Sequence, residues 1–236
     1  IFYLLIFLCL VLLVIEPVMA QEQPVVSYDE LSKTIIIEAG TCTLQDIVNK
    51  TDDSLMRNQV SNVYVVNSNI HISTNAELVL IDEVLKMNCS FDGEYVITNN
   101  GKLTIFSSYI TTVGEEHHSY IDSFNAPYVA NGWSFTMIDS KVSNMGSNLI
   151  GKSAITLGHP ASYEGNSPAS PVFIQNSTLE NCEFAFLRFS TFGTIPGNYF
   201  TINGNHFSGI SSTQSGNNAL ITVPSYSNFT NNRIEN

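Results

Sequence analysis

Charge is what this 236-residue sequence has least of. Only 13% of its residues are Asp, Glu, Lys or Arg, and 9 basic residues face 21 acidic ones for a net charge of −12. A nucleic-acid surface needs a basic footprint, so no nucleic-acid partner is expected. Ala, Glu, Lys, Leu and Arg do not dominate, which excludes a long helical or coiled-coil protein. Disorder is excluded from the other side, by 44% hydrophobic and 11% aromatic residues. Cysteine is sparse at four residues, without a CxxC pair, so neither a zinc ribbon nor a c-type haem site is supported, and no cofactor is expected. What the sequence does have is 25 Asn, 27 Ser and 18 Thr. That is the composition of a β protein working outside the cytosol.

The N-terminus carries one long apolar run, Ile1 to Ile15, broken by Glu16-Pro17 and followed by Val18-Met19-Ala20. This predicts a signal peptide over 1–20 with cleavage after Ala20. The alternative is a retained anchor, for which the run is short of the roughly 20 residues a spanning helix needs. Removing it leaves Cys42, Cys89 and Cys182. A Cys42–Cys89 bridge is conceivable, and Cys182 reads as a small buried hydrophobe.

An internal repeat organises the rest. Six segments align: Leu78-Val-Leu-Ile-Asp-Glu-Val-Leu85, Leu103-Thr-Ile-Phe-Ser-Ser-Tyr-Ile110, Phe135-Thr-Met-Ile-Asp-Ser-Lys-Val142, Val172-Phe-Ile-Gln-Asn-Ser-Thr-Leu179, Phe200-Thr-Ile-Asn-Gly-Asn-His-Phe207 and Ser227-Asn-Phe-Thr-Asn-Asn-Arg-Ile234. Columns one, three and eight are apolar, columns two and four face outward, and columns five and six hold turn residues. The starts lie 25, 32, 37, 28 and 27 residues apart. A strand, a polar corner and a second strand at that period make a solenoid coil, which buries its apolar side only by stacking on its neighbours. Glu94–Thr98, Ser119–Asp122, Ala154–Leu157, Ala185–Phe189 and Ala219–Val223 supply a third strand per coil. Asn144-Met145 and Asn181-Cys182 fall in register as a further Asn corner beside an inward stack.

These repeats resemble the right-handed parallel β-helix superfamily, the pectin-lyase-like and CASH-type repeat proteins of secreted archaeal and bacterial origin. The resemblance covers about Val60 to Asn236. It implies an all-β, single-stranded right-handed parallel β-helix. Residues 21–59 are expected to form an N-terminal cap, with a strand at Lys33–Glu38 and a helix whose Leu44, Ile47 and Val48 share a face behind Thr43 and Asp46. No comparable cap follows the last repeat, so the native chain is expected to continue beyond Asn236, and the open coil end is expected to self-associate.

Candidate site residues are few. Trp133, Tyr163, Tyr109 and Arg188 are candidates for carbohydrate binding, the aromatics by stacking on sugar rings. His117 and His118, in Gly114-Glu-Glu-His-His-Ser119, are the raw material for a metal site, with copper the ion the resemblance suggests. Asn228, Asn88 and Asn49 open glycosylation sequons, as does the corner residue Asn176, but about five such sequons are expected by chance at this composition. Column four runs Ile81, Phe106, Ile138, then Gln175, Asn203, Thr230: an apolar strip suited to a partner. The polygalacturonase-like and pectate-lyase-like residue sets of the superfamily are incomplete here, and no catalytic residue is assigned. The leading expectation is a non-catalytic extracellular or cell-surface module, structural, adhesive or carbohydrate-binding, with a polysaccharide or cell-envelope component as partner. The alternatives are a carbohydrate-active enzyme, lyase or hydrolase, and a periplasmic metal or cofactor accessory protein.

Overall fold

The six aligned segments stack in the register their columns predict. A computed structural model describes residues 23–235, except 115, 117, 125–132, 148–151, 160–171, 192–199, 212–220 and 223–226. The expected signal segment therefore lies outside the described residues. Column four pairs Ile81 with Phe106, Phe106 with Ile138, Ile138 with Gln175, Gln175 with Asn203 and Asn203 with Thr230. Column eight runs in the same way from Leu85 through Ile110, Val142, Leu179 and Phe207 to Ile234. All of these pairings are parallel.

The coil has three sides. Side one takes the second half of Asn69–Ile81, then Lys102–Phe106, Ser134–Ile138, Val172–Gln175, Phe200–Asn203 and Asn228–Thr230. Side two takes Val63–Val66, Val84–Met87, Tyr109–Thr112, Lys141–Ser143, Thr178–Glu183, His206–Ser211 and Arg233–Ile234. Side three takes the first half of Asn69–Ile81, then Val96–Asn99, Tyr120–Phe124, Ile155–His159 and Leu187–Thr191. The fold is a right-handed parallel β-helix. Its core is the column of inward side chains, with Leu78, Leu103, Phe135 and Val172 all fully buried in column one. Of the segment Ala219–Val223, the described part contributes a single bridge, Leu187 to Ile221.

The corner between sides one and two explains much of the polar composition. Column five adopts the left-handed conformation in every coil: φ is 54° at Asp82, 48° at Ser107, 50° at Asp139, 49° at Asn176, 70° at Gly204 and 55° at Asn231. Asn, Asp and Gly tolerate that region best. Column six then builds a ladder of hydrogen bonds between coils. The backbone N–H of Glu83 donates to Ser108 Oγ, that of Ser108 to Ser140 Oγ, that of Ser140 to Ser177 Oγ, that of Ser177 to Asn205 Oδ1 and that of Asn205 to Asn232 Oδ1, at 2.9–3.2 Å. Each side chain supplies the acceptor that a buried N–H at a chain reversal would otherwise lack. A second left-handed column at Asn144, Asn181 and Gly209 lets the chain turn after side two. Met145 and Cys182 lie fully buried behind it, as their spacing predicts.

Upstream, helix Leu44–Lys50 begins with Thr43 as N-cap and a complete capping box to Asp46. At seven residues it is too short to stand alone and is held by Leu44 and Ile47, both buried in the core. The strand before it, Thr34–Thr43, is longer than the sequence pattern indicates. It pairs parallel with Asn69–Ile81 through a bulge near Ile37–Ala39, and antiparallel with Val25–Asp29. It is thus the first rung of two sides as well as part of the N-terminal region.

The conceivable disulfide does not form. Cys42, Cys89 and Cys182 are all free and buried. Cys42 sits beside Leu78 on side one, whereas Cys89 follows Val84–Met87 of side two, so the two thiols belong to different walls of the coil. Burial pushes the Cys42 and Cys182 thiols up to about 12 and that of Cys89 up to about 11.

Candidate functional site

The outward face of side three carries chemistry that the outward face of side one lacks. Its strands alternate between inward apolar residues and outward polar ones, and the parallel register aligns the outward residues into a row: His71, Thr98, Asp122, Thr156 and Arg188. Neighbouring rungs lie about 4.8 Å apart, so the row spans on the order of 19 Å. Asp122 is its centre. Asp122 Oδ2 lies 3.4 Å from Lys152 Nζ, and Oδ1 is buried with no hydrogen-bond partner. The Lys152 ammonium also sits 5.2 Å above the ring of Tyr120, two residues before Asp122. Burial chiefly raises the Tyr120 phenol, Asp122 adding to the rise and Lys152 opposing it. Burial alone holds the His71 imidazole below its ordinary value, so it is neutral at pH 7. Arg188 is exposed. The row therefore offers two cations, one carboxylate with an unsatisfied oxygen, a phenol and a neutral imidazole on one rigid face.

A second cluster lies at the corner that leads into this side. Asp92, between Val84–Met87 and Val96–Asn99, meets His118, between Tyr109–Thr112 and Tyr120–Phe124. His118 Nδ1 is 3.3 Å from Asp92 Oδ1 and 3.7 Å from Glu183 Oε2, at the end of Thr178–Glu183. The backbone N–H of His118 donates to the same Asp92 oxygen at 2.9 Å, and Ser147 Oγ approaches Asp92 Oδ2 at 3.2 Å. Gly146 makes the crossing of these coils possible: a Cβ there would stand 2.2 Å from the Glu183 carbonyl oxygen.

The residues singled out from sequence are dispersed. Trp133 is 3% exposed and packs in the core, so its ring is not a platform for sugar; its position at the entry of an inward column decides this. Tyr109 is half-buried on side two, its hydroxyl 2.5 Å from Ser143 Oγ and its ring beneath Lys141. Tyr163 and His117 lie outside the described residues, as does most of the Gly158–Pro171 segment. His118 is brought together with Asp92 and Glu183 rather than with Met145, which is buried in the core. Asn49, Asn88 and Asn228 are all exposed; the first two are engaged by Gln45 and Asn67, respectively. Of the apolar strip in column four, Ile81 and Phe106 are exposed. Sequence reading missed His71, Tyr120, Asp122 and Lys152. The signal was present for Asp122, which alternates with Ile121 and Ser123 on a third strand, but the row exists only once the register between coils of unequal length is known.

No family model matches the chain, and no curated protein matches it in sequence. Among solved structures it is similar to a point mutant of the periplasmic alginate epimerase AlgG, with a TM-score of 0.55 at 17% identity over 76% of this chain and 44% of that one. Unmutated AlgG gives a TM-score of 0.48 at 15% identity over 75% of this chain and 46% of that one. The chain thus spans less than half the length of these structures. At such identity the first likeness establishes the fold, a right-handed parallel β-helix, and nothing finer.

Proposed function

We propose that the protein is a carbohydrate-active β-helix protein of the cell exterior or periplasm that takes a uronate-containing polysaccharide along the outward face of side three. The observation that carries this reading is the Tyr120–Asp122–Lys152 group in line with Arg188. Glycoside hydrolysis usually needs two carboxylates flanking one bond. Among the described residues of the row there is one carboxylate, beside two cations. That set suits a different chemistry, removal of the C5 proton next to a uronate carboxylate. Lys152 and Arg188 would neutralise the sugar carboxylates, and Asp122 and Tyr120 would exchange the proton. Returning the proton to the opposite face epimerises the sugar; departure of the C4 oxygen cleaves the chain. That the β-helix AlgG is an alginate epimerase agrees with this substrate class.

The test is incubation of the full chain in D2O with alginate, polygalacturonate and a neutral glucan as control. Deuterium at C5, or absorbance from an unsaturated uronate product, is expected with at least one acidic polymer. Asp122→Asn should abolish it, and Arg188→Ala should weaken binding. Binding without exchange would return the molecule to the non-catalytic carbohydrate-binding reading. No binding to any acidic polymer would refute the assignment of this face.

A further inference from the structure

The corner cluster is separate from the polysaccharide row, and its geometry points to a metal. We infer that Asp92, His118 and Glu183 form a binding site for a divalent transition ion of the Zn2+ type, held by one imidazole nitrogen and two carboxylates.

Spacing is the first argument. Three ligand atoms, one from each residue, lie within 4.8 Å of one another. Two of the separations from His118 Nδ1 are 3.3 and 3.7 Å. In a tetrahedral zinc site with bonds near 2.0–2.1 Å, adjacent ligand atoms stand about 3.3 Å apart. The two separations from His118 are thus close to the edges of that polyhedron, and the two carboxylate oxygens, within 4.8 Å of each other, need only draw together around the ion.

Preorganisation is the second. The three residues come from three separate crossings of the same corner: Glu183 ends a strand, and Asp92 and His118 lie on the segments that connect side two to side three. The Asp92 carboxylate is aimed by the His118 backbone N–H and by Ser147. The His118 carbonyl is tied in turn by the N–H of Gly93 at 2.7 Å. The His118 side chain is 9% exposed, against 17% for Asp92 and 22% for Glu183, so the nitrogen is inside and the carboxylates open outward.

Ligand chemistry is the third. Calcium and magnesium favour sets made of oxygen alone, and soft copper(I) favours sulfur. One nitrogen with two carboxylate oxygens suits Zn2+, Mn2+ or Co2+. Binding requires Nδ1 to carry no proton, whereas without metal the same atom would donate a hydrogen bond to the Asp92 carboxylate. That is the competing account, and the test separates the two.

Zn2+ is titrated into the full chain at pH 7 against a chromophoric chelator, with isothermal calorimetry for stoichiometry. One ion per chain is expected. His118→Ala should abolish uptake, and Glu183→Gln should weaken it at least tenfold. Glu183→Gln keeps the side-chain volume, and its urea midpoint without metal shows whether it folds. Co2+ substituted at the site should give the visible absorption of a low-coordinate ion, which Glu183→Gln should alter. Absence of uptake at 100-fold excess metal would overturn the inference in favour of a metal-free hydrogen-bonded cluster. So would an unchanged affinity in a folded Glu183→Gln or His118→Ala variant. Because Asp122 takes no part, Asp122→Asn should bind Zn2+ as the parent does, whatever becomes of polysaccharide turnover.

Discussion

Ser140→Ala tests the account of the corner ladder. Ser140 Oγ accepts the N–H of Ser108 at 3.1 Å and donates to the Ile138 carbonyl at 2.6 Å. A longer approach of the same hydroxyl to the Ile105 carbonyl, at 3.3 Å, is lost with them, and the losses are unequal. The Ile138 carbonyl keeps a second partner, the N–H of Ser107 at 3.1 Å. The Ser108 N–H has no described partner besides Ser140, and Ser108 is 4% exposed. Alanine therefore leaves one buried donor unsatisfied, which costs about 1–3 kcal/mol. The residue's own N–H still donates to Ser177 Oγ, so the defect stays within one rung. The assay is urea denaturation followed by circular dichroism, with Thr136→Ala on the outward face of the same coil as control. A fall of about 1–3 kcal/mol is expected for Ser140→Ala, and well under 1 kcal/mol for the control. Amide exchange gives the local readout: the Ser108 amide should lose protection while that of Ile105, in the neighbouring strand, keeps it. A Ser140→Ala variant with stability within 0.5 kcal/mol of the parent and a still-protected Ser108 amide would refute the reasoning (about half of the lower expected bound).

Three further outcomes follow from burial and close approach. At Gly101 an added Cβ would meet the carbonyl oxygens of Ser73 and Ala76 at 2.2 and 2.3 Å, both backbone atoms that cannot swing aside. Gly101→Ala should therefore cost at least the ~1–3 kcal/mol of an overpacked core, measured as a drop in the denaturation midpoint. Glu83 has its carboxyl raised by burial, and its Oε2 is buried without a partner. The folded state then holds the proton more tightly than the unfolded one, so stability falls as pH rises through the folded value. Glu83→Gln should be more stable than the parent at pH 7, with the gap closing as pH drops through the raised folded value toward the ordinary 4.5; a gap independent of pH would contradict this. Ellman's reagent at pH 8 should leave Cys42, Cys89 and Cys182 unreacted in the native protein and titrate all three in guanidinium. Rapid labelling of any one in the folded chain would contradict their burial.

Legibility from sequence followed the rule that locality sets the limit. The eight-residue unit is local: inward alternation, the left-handed corner and the second strand all lie within one segment, so the stacking of Ile81, Phe106, Ile138, Gln175, Asn203 and Thr230 could be read in advance. The ladder of Ser108, Ser140, Ser177, Asn205 and Asn232 was visible only as a preference for turn residues, because the hydrogen bonds run between coils. The Cys42–Cys89 pairing failed for a related reason. Parity of cysteines says nothing about which wall of the solenoid each thiol faces.

The site was less legible, because its residues converge across loops of unequal length. Asp92 and His118 are 26 residues apart and Glu183 lies two strands of side two further on. The sequence offers no column linking them, since the corner before side three differs in length from coil to coil: eight residues separate Met87 from Val96, seven separate Thr112 from Tyr120 and three separate Glu183 from Leu187. His118 stood out beside His117 only because the two are adjacent in the chain. Adjacency is poor evidence for coordination: consecutive residues in extended backbone point to opposite sides. A β-helix replaces adjacency with stacking. Residues from successive coils come within about 5 Å of one another along the axis, and an ion or a sugar chain that contacts one corner or face meets several coils at once. The Asp92–His118–Glu183 cluster and the Asp122 row are both products of that geometry, one at the corner and one along the side. In such a fold, a functional residue is identified by its height and its wall rather than by its sequence neighbours.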